Sequence, residues 1–186
     1  MILTVEEQDA IGEIVNISVG AAACYLGNLA EIDVDVSIPN FTDVFCTEDI
    51  KEEKGKKSIY RMDFTAFSFG MCSITVINNY DKVCKYIGCS TDDASRMEKV
   101  LGRIVENAIE PLERLMEQTV NLTELYNSEN YMKSELVRFG NEIIQIGFLC
   151  SVGGAADVSI NYYFPAETAK KVANRFIRQG IALTMV

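Results

Sequence analysis

Asp9, Glu13 and Asn16 follow one another at intervals of four and three residues within DAIGEIVNISVGAAACYLGNL, the stretch from Asp9 to Leu29. At 3.6 residues per turn they fall with Gly20 inside an arc of roughly 60°, so a helix here turns a row of carboxylate, carboxylate and amide outward. Ile11, Ile14, Ser18, Ala21, Ala22, Tyr25 and Leu29 fall on the opposite side, an apolar stripe suited to a core. The chain contains no histidine. That removes Ser-His and Cys-His nucleophile pairs, histidine phosphotransfer and most catalytic zinc arrangements. Any chemistry must then use carboxylates, amides or the groups of a partner. Gly12 and Gly20 let this helix approach a neighbour or a partner closely.

Composition narrows the class further. With 186 residues, 48% hydrophobic and 24% charged, the chain is long enough for one well-buried core and short for two. Residues 1–186 are expected to form a single domain. Lys and Arg number 17 against 27 Asp and Glu, a net charge of −10, which argues against phosphate-backbone binding and so against a nucleic-acid partner. No run approaches the length of a membrane span and MILTVEEQDA is acidic where a leader is basic, so a cytoplasmic protein without membrane insertion is expected. The six cysteines, Cys24, Cys46, Cys72, Cys84, Cys89 and Cys150, form no C-x-x-C pair. They are expected to be reduced, mostly buried thiols, with no metal site.

Thr4 with Glu7 three residues later has capping-box register and starts the first helix. Glu31 to Ile38 alternates charged and branched residues and predicts a half-exposed strand, stopped by Pro39-Asn40, with residues 41–57 a solvated hairpin or loop. Ser58 to Ser68 and Met71 to Ile77 predict a strand pair, and Asn78 to Gly88 a short helix. Asn141 to Cys150 and Ala156 to Tyr163 predict a second strand pair around Gly153-Gly154.

The order repeats. Leu101-Gly102-Arg103-Ile104-Val105-Glu106 follows 90 residues after Ile11-Gly12-Glu13-Ile14-Val15-Asn16, and Ile160 to Phe176 resembles Ile74 to Gly88. Two units, about 1–89 and 90–186, are therefore expected to share one sheet. Short connections make it mainly antiparallel, an α+β fold of duplicated helix-strand units with two long helices on one face. Pro111 predicts a kink or break near Asn107 in the second long helix. The outward positions differ between the copies. Lys99, Arg103 and Glu106 replace Asp9, Glu13 and Asn16, followed by Glu110, Glu113 and Glu117, which suggests a single working site.

These residues resemble the CheC, CheX and FliY group of chemotaxis phosphatases. The motif of that group is Asp or Ser, three residues, Glu, two residues, Asn, twenty-two residues, Pro, and Asp9, Glu13, Asn16 and Pro39 stand at those spacings. The flank Glu13-Ile14-Val15-Asn16-Ile17-Ser18-Val19-Gly20-Ala21-Ala22-Ala23 agrees as well. Position 129, where a second motif would place proline, is Glu129.

The resemblance implies removal of the phosphoryl group from the aspartyl phosphate of a CheY-type response regulator in chemotaxis signalling. An amide can hold a water in line with phosphorus, the role it implies for Asn16. Glu13 would pair with a lysine of the partner, with Asp9 and Pro39 supporting. This chain would bind no cofactor, the required Mg²⁺ being held by the regulator. A non-enzymatic adaptor is the alternative, since relatives of this fold build flagellar switch rings and others bind a CheD-type receptor-modifying deamidase. Exposed strand edges leave a homodimer open.

Overall fold

The computed structural model describes residues 2–51, 54–65, 70–125, 129–138, 142–154 and 156–178. Among the described residues, five α-helices, α1 (Val5–Ala30), α2 (Tyr80–Tyr86), α3 (Ala94–Met116), α4 (Glu129–Val137) and α5 (Ala166–Arg178), accompany seven strands. The strands are β1 (Val34–Val36), β2 (Asn40–Val44), β3 (Lys56–Phe64), β4 (Met71–Ile77), β5 (Val120–Glu124), β6 (Ile143–Val152) and β7 (Ala156–Pro165). They form one sheet in the order β1-β6-β7-β4-β3-β5, with β2 also on β6, and every pairing is antiparallel. Both halves of the chain thus contribute to one sheet, the α+β arrangement expected from the repeat.

Strand alternation divides the buried residues between two faces. Met62 and Phe64 of β3, Ile144, Ile146, Phe148 and Cys150 of β6 and Val158, Ile160, Tyr162 and Phe164 of β7 pack in one cluster with α1, α3 and α5. The alternate residues Ile59, Cys72, Ile74, Val76, Ile143 and Tyr163 pack with Met132 and Leu136 of α4. Both long helices lie on one face, as expected, and α4 covers part of the other. This helix escaped the sequence reading because one of its three inward residues is Glu135, which blurs the apolar period. Glu135 is paired with Arg61 on β3 and with Arg138, each at 2.7 Å.

Several boundaries differ from expectation. Instead of one strand from Glu31 to Ile38, β1 spans three residues, and the supposed loop after Pro39 begins with β2, paired along Asn40–Val44 with β6. Pro39 has no N–H to donate and interrupts an edge that resumes one residue later. Residues 66–69, which include the expected end of the third strand, lie outside the described residues. Pro111 does not break α3, which continues to Met116 and closes at Glu117 in the left-handed region, φ 52°. Glu117 is therefore the cap, not part of a continuing outward face. Gly153 and Gly154, φ 61° and 68°, supply the positive φ expected between β6 and β7.

α1 is long and apolar enough to cross a membrane by length and composition alone, yet its apolar side is packed on α3 and α5. Ala10, Ile11, Ile14, Val15, Val19, Ala22 and Leu26 are all buried. Ala21, Tyr25 and Leu29, assigned to the inward stripe from spacing, are half-buried, and the core takes Val15, Val19 and Leu26 instead.

Candidate functional site

α1 positions the polar row. Its N-terminus is fixed by a reciprocal capping box: the Thr4 hydroxyl accepts from the Glu7 N–H at 3.2 Å and the Glu7 carboxylate accepts from the Thr4 N–H at 2.9 Å. That contact holds the Glu7 carboxyl below its ordinary range, assisted by the Asn174 amide of α5, which donates at 3.0 Å. The register of the helix is locked further along. Buried Ser18 donates to the Ala108 carbonyl of α3 at 2.5 Å and lies 3.1 Å from the Tyr162 hydroxyl of β7.

On the side opposite this anchor, Asp9, Asn16 and Gly20 are exposed and Glu13 is half-buried. Among the described residues, no hydrogen bond or ion pair engages the side chains of Asp9, Glu13 or Asn16. Pro39, half-buried ahead of β2, is brought to the same place. A Cβ on Gly12 would stand 3.8 Å from Cγ of Pro39 and 3.3 Å from the Phe41 ring. The turn carrying Glu13 thus rests against the Pro39 segment, and the four motif positions occupy one neighbourhood although 22 residues of chain lie between Asn16 and Pro39.

The matching face of α3 is closed on itself. Arg103 and Glu106 form a 2.7 Å ion pair, and Arg114 pairs with Glu110 at 2.8 Å. Glu113, expected on this outward face, turns instead to accept from the Val120 N–H at 2.8 Å. Position 129 lies on α4, across the sheet, where Glu129 meets Lys57 at 2.5 Å. The two copies of the helix therefore carry an open polar row and a self-neutralised one. Among the described residues no group of His, Cys, Asp and Glu converges as a metal site.

Sequence reasoning missed a groove of about 720 Å³ that continues the row beyond Gly20, between the second half of α1 and β1. The only signal for it was the run of small residues Gly20, Ala23 and Gly27. Of the cysteines, Cys72, Cys84 and Cys150 are buried, Cys89 is half-buried, and Cys24 and Cys46 are exposed, two more surface thiols than apolar context suggested.

An antiparallel sheet carrying two quasi-repeated long helices on one face is the CheC-like fold of the FliY and FliM structures. The chain aligns with FliY of Thermotoga maritima at a TM-score of 0.69 and 18% identity, over 96% of this chain and 100% of that one. The FliM middle domain of H. pylori aligns at 0.63 and 8% identity, over 93% and 99%. A chain of the H. pylori FliG-FliM complex aligns at 0.64 and 8% identity, over 92% and 100%. No family model and no curated protein sequence matches the chain.

Proposed function

We propose that this protein docks α1 against a phosphorylated CheY-type response regulator and hydrolyses its aspartyl phosphate, a role in chemotaxis signalling. The observation that carries this reading is the contrast between the two long helices. Among the described residues Glu13 and Asn16 have no side-chain partner, whereas Arg103 and Glu106, at the same positions of the second copy, neutralise each other. Glu13 and Asn16, left unpaired where their counterparts on α3 are paired with each other, are available to a partner.

The Asn16 amide has no useful basicity, but its carbonyl can accept from a water and its NH₂ can donate to a phosphoryl oxygen. It would hold that water in line with phosphorus as the bond to the regulator's aspartyl oxygen breaks, releasing phosphate and regenerating the carboxylate. Glu13, one turn earlier, would pair with a lysine of the regulator and set the docking register. Asp9 extends the acidic side of the row, and Pro39 with Phe41 backs the turn that carries Glu13. The phosphorylated aspartate and the Mg²⁺ belong to the regulator.

The experiment is decay of aspartyl phosphate on a CheY-type regulator with Mg²⁺, alone and with wild type, Asn16→Ala or Glu13→Lys. Wild type accelerates decay, Asn16→Ala abolishes the acceleration while still binding, and Glu13→Lys weakens binding. A second reading, a non-enzymatic adaptor, draws on the FliG-FliM complex, one chain of which shares this fold. Binding to the regulator or to a CheD-type deamidase, with no acceleration by wild type, would favour it.

A further inference from the structure

Gly20 lies in the interior of α1, four residues and about 6 Å beyond Asn16 on the outward row. Glycine is the poorest helix residue after proline, so an exposed interior glycine needs a reason. The other two glycines of α1 have reasons inside the fold. A Cβ on Gly12 would press on the Phe41 ring at 3.3 Å, and one on Gly27 would stand 2.9 Å from the Ile32 carbonyl oxygen. At Gly20 nothing lies within 4 Å of that position, and φ is not positive. The fold itself has no use for glycine there.

The groove supplies a second observation. Gly20 stands at its mouth, and Glu31 and Asp33, both exposed, line its far end. Among the described residues no lysine or arginine lines it. The far end of the groove is thus acidic, complementary to a cationic surface.

We propose that Gly20 is a positioning residue for the regulator: the absent side chain lets a basic, closely fitted surface of the regulator sit down on α1 and enter the groove, which sets the distance from Asn16 to phosphorus. This rests on the regulator reading above. Gly20 touches no reacting atom, so its effect is on docking depth.

The test uses Gly20→Ala and Gly20→Leu, which have room in the free protein, and Glu31→Lys at the far end of the groove. Binding is measured to the beryllofluoride-activated regulator with Mg²⁺, and turnover on the phosphorylated form. Gly20→Ala should raise Tm by about 2–4 °C, as a helix-favouring change without strain. Gly20→Leu should fold normally yet raise Kd and KM by about tenfold or more, with Ala between Leu and wild type. Its kcat at saturation should fall with the lost docking depth yet stay above that of Asn16→Ala, and Glu31→Lys should raise Kd without lowering Tm.

Wild-type Kd and KM in Gly20→Leu would overturn the proposal while leaving the phosphatase reading standing. Binding that is lost in Gly20→Leu, with no turnover by wild type, would support the docking role and remove the phosphatase reading. Failure of wild type to bind would overturn both.

Discussion

Ser18 of α1 donates a 2.5 Å hydrogen bond to the carbonyl of Ala108 on α3, and the two residues are 90 positions apart, the offset of the internal repeat. Equivalent positions of the two copies thus meet where the long helices cross. Because Ser18 uses its proton on Ala108, the Tyr162 hydroxyl 3.1 Å away must donate to Ser18. Burial pushes the Tyr162 hydroxyl up to about 12, so this donor stays protonated throughout the working pH range. One serine hydroxyl ties both long helices to β7, and with them the orientation of the Glu13-Asn16 face.

Ser18→Ala should therefore cost about 1–3 kcal/mol, because it leaves the Tyr162 hydroxyl buried without an acceptor. Adding Tyr162→Phe removes the stranded group, so the double variant should be closer to wild type than the sum of the two single changes. Urea denaturation of all four proteins measures this. Additive losses would mean that the hydroxyl finds another partner.

The self-neutralised face of α3 gives a second prediction. Lys99→Asp, Arg103→Glu and Glu106→Asn together restore the motif residues of the second helix, yet in an Asn16→Ala background they should not restore phosphatase activity. Gly102 faces the Tyr60 hydroxyl, 3.5 Å from a would-be Cβ, where Gly12 faces Pro39 and Phe41. The residue at the repeat position of Pro39 is Glu129, held across the sheet by Lys57. Decay of the regulator's aspartyl phosphate should remain within about twofold of the spontaneous rate. Substantial recovery would show that the helix face alone suffices.

How far the fold and site could be read from the letters depended on whether the signal was local. The capping box, the outward row of α1 and the glycine turn between β6 and β7 are set by neighbours in sequence, and the structure has all three where expected. β2 is different: its pairing with β6 links Asn40–Val44 to residues about one hundred positions later, and FTDV, though strand-compatible, is too short beside a charge-rich run to mark a strand by itself. α4 was hidden by its buried glutamate, whose partner Arg61 sits 74 residues away. The contact of Pro39 with the Gly12 turn and the groove beyond Gly20 are likewise products of tertiary packing. Spacing put Asp9, Glu13 and Asn16 on one helix face, the family resemblance made them and Pro39 candidates, and only packing shows that Pro39 stands beside them.

Thiol reactivity should follow burial. Desolvation pushes Cys72 and Cys150 up to about 12 and Cys84 to about 11, so none is a thiolate near neutrality. Exposed Cys46 is raised as well, chiefly by its hydrogen bond to the Glu48 carboxylate. With iodoacetamide near neutral pH, mass spectrometry of digests should show Cys24 and Cys46 modified before unfolding and the three buried thiols only in denaturant. Glu48→Gln should speed modification of Cys46 by removing the carboxylate that disfavours its thiolate. Labelling of Cys72 or Cys150 in the native protein at the rate of Cys24 would contradict this core.

The N-terminus of α1 offers a pH test of what holds the candidate row in place. Thr4→Ala removes the acceptor for the Glu7 N–H and should cost about 1 kcal/mol at any pH where the protein is folded. Glu7 behaves differently because its carboxyl is held below the ordinary 4.5, first by the Thr4 N–H and then by the Asn174 amide. A carboxyl whose pKa is lower folded than unfolded contributes stability that is full above the unfolded value, and that contribution fades as pH falls through the folded one. Glu7→Gln mimics the protonated form. The variant should accordingly be less stable than wild type at neutral pH, with the gap narrowing as pH falls below about 4.5 and closing once wild-type Glu7 is itself protonated. Thermal denaturation of wild type, Thr4→Ala and Glu7→Gln between neutral and acid pH checks both. A Glu7→Gln deficit that persists unchanged in acid would show that the side chain acts through shape and not through charge.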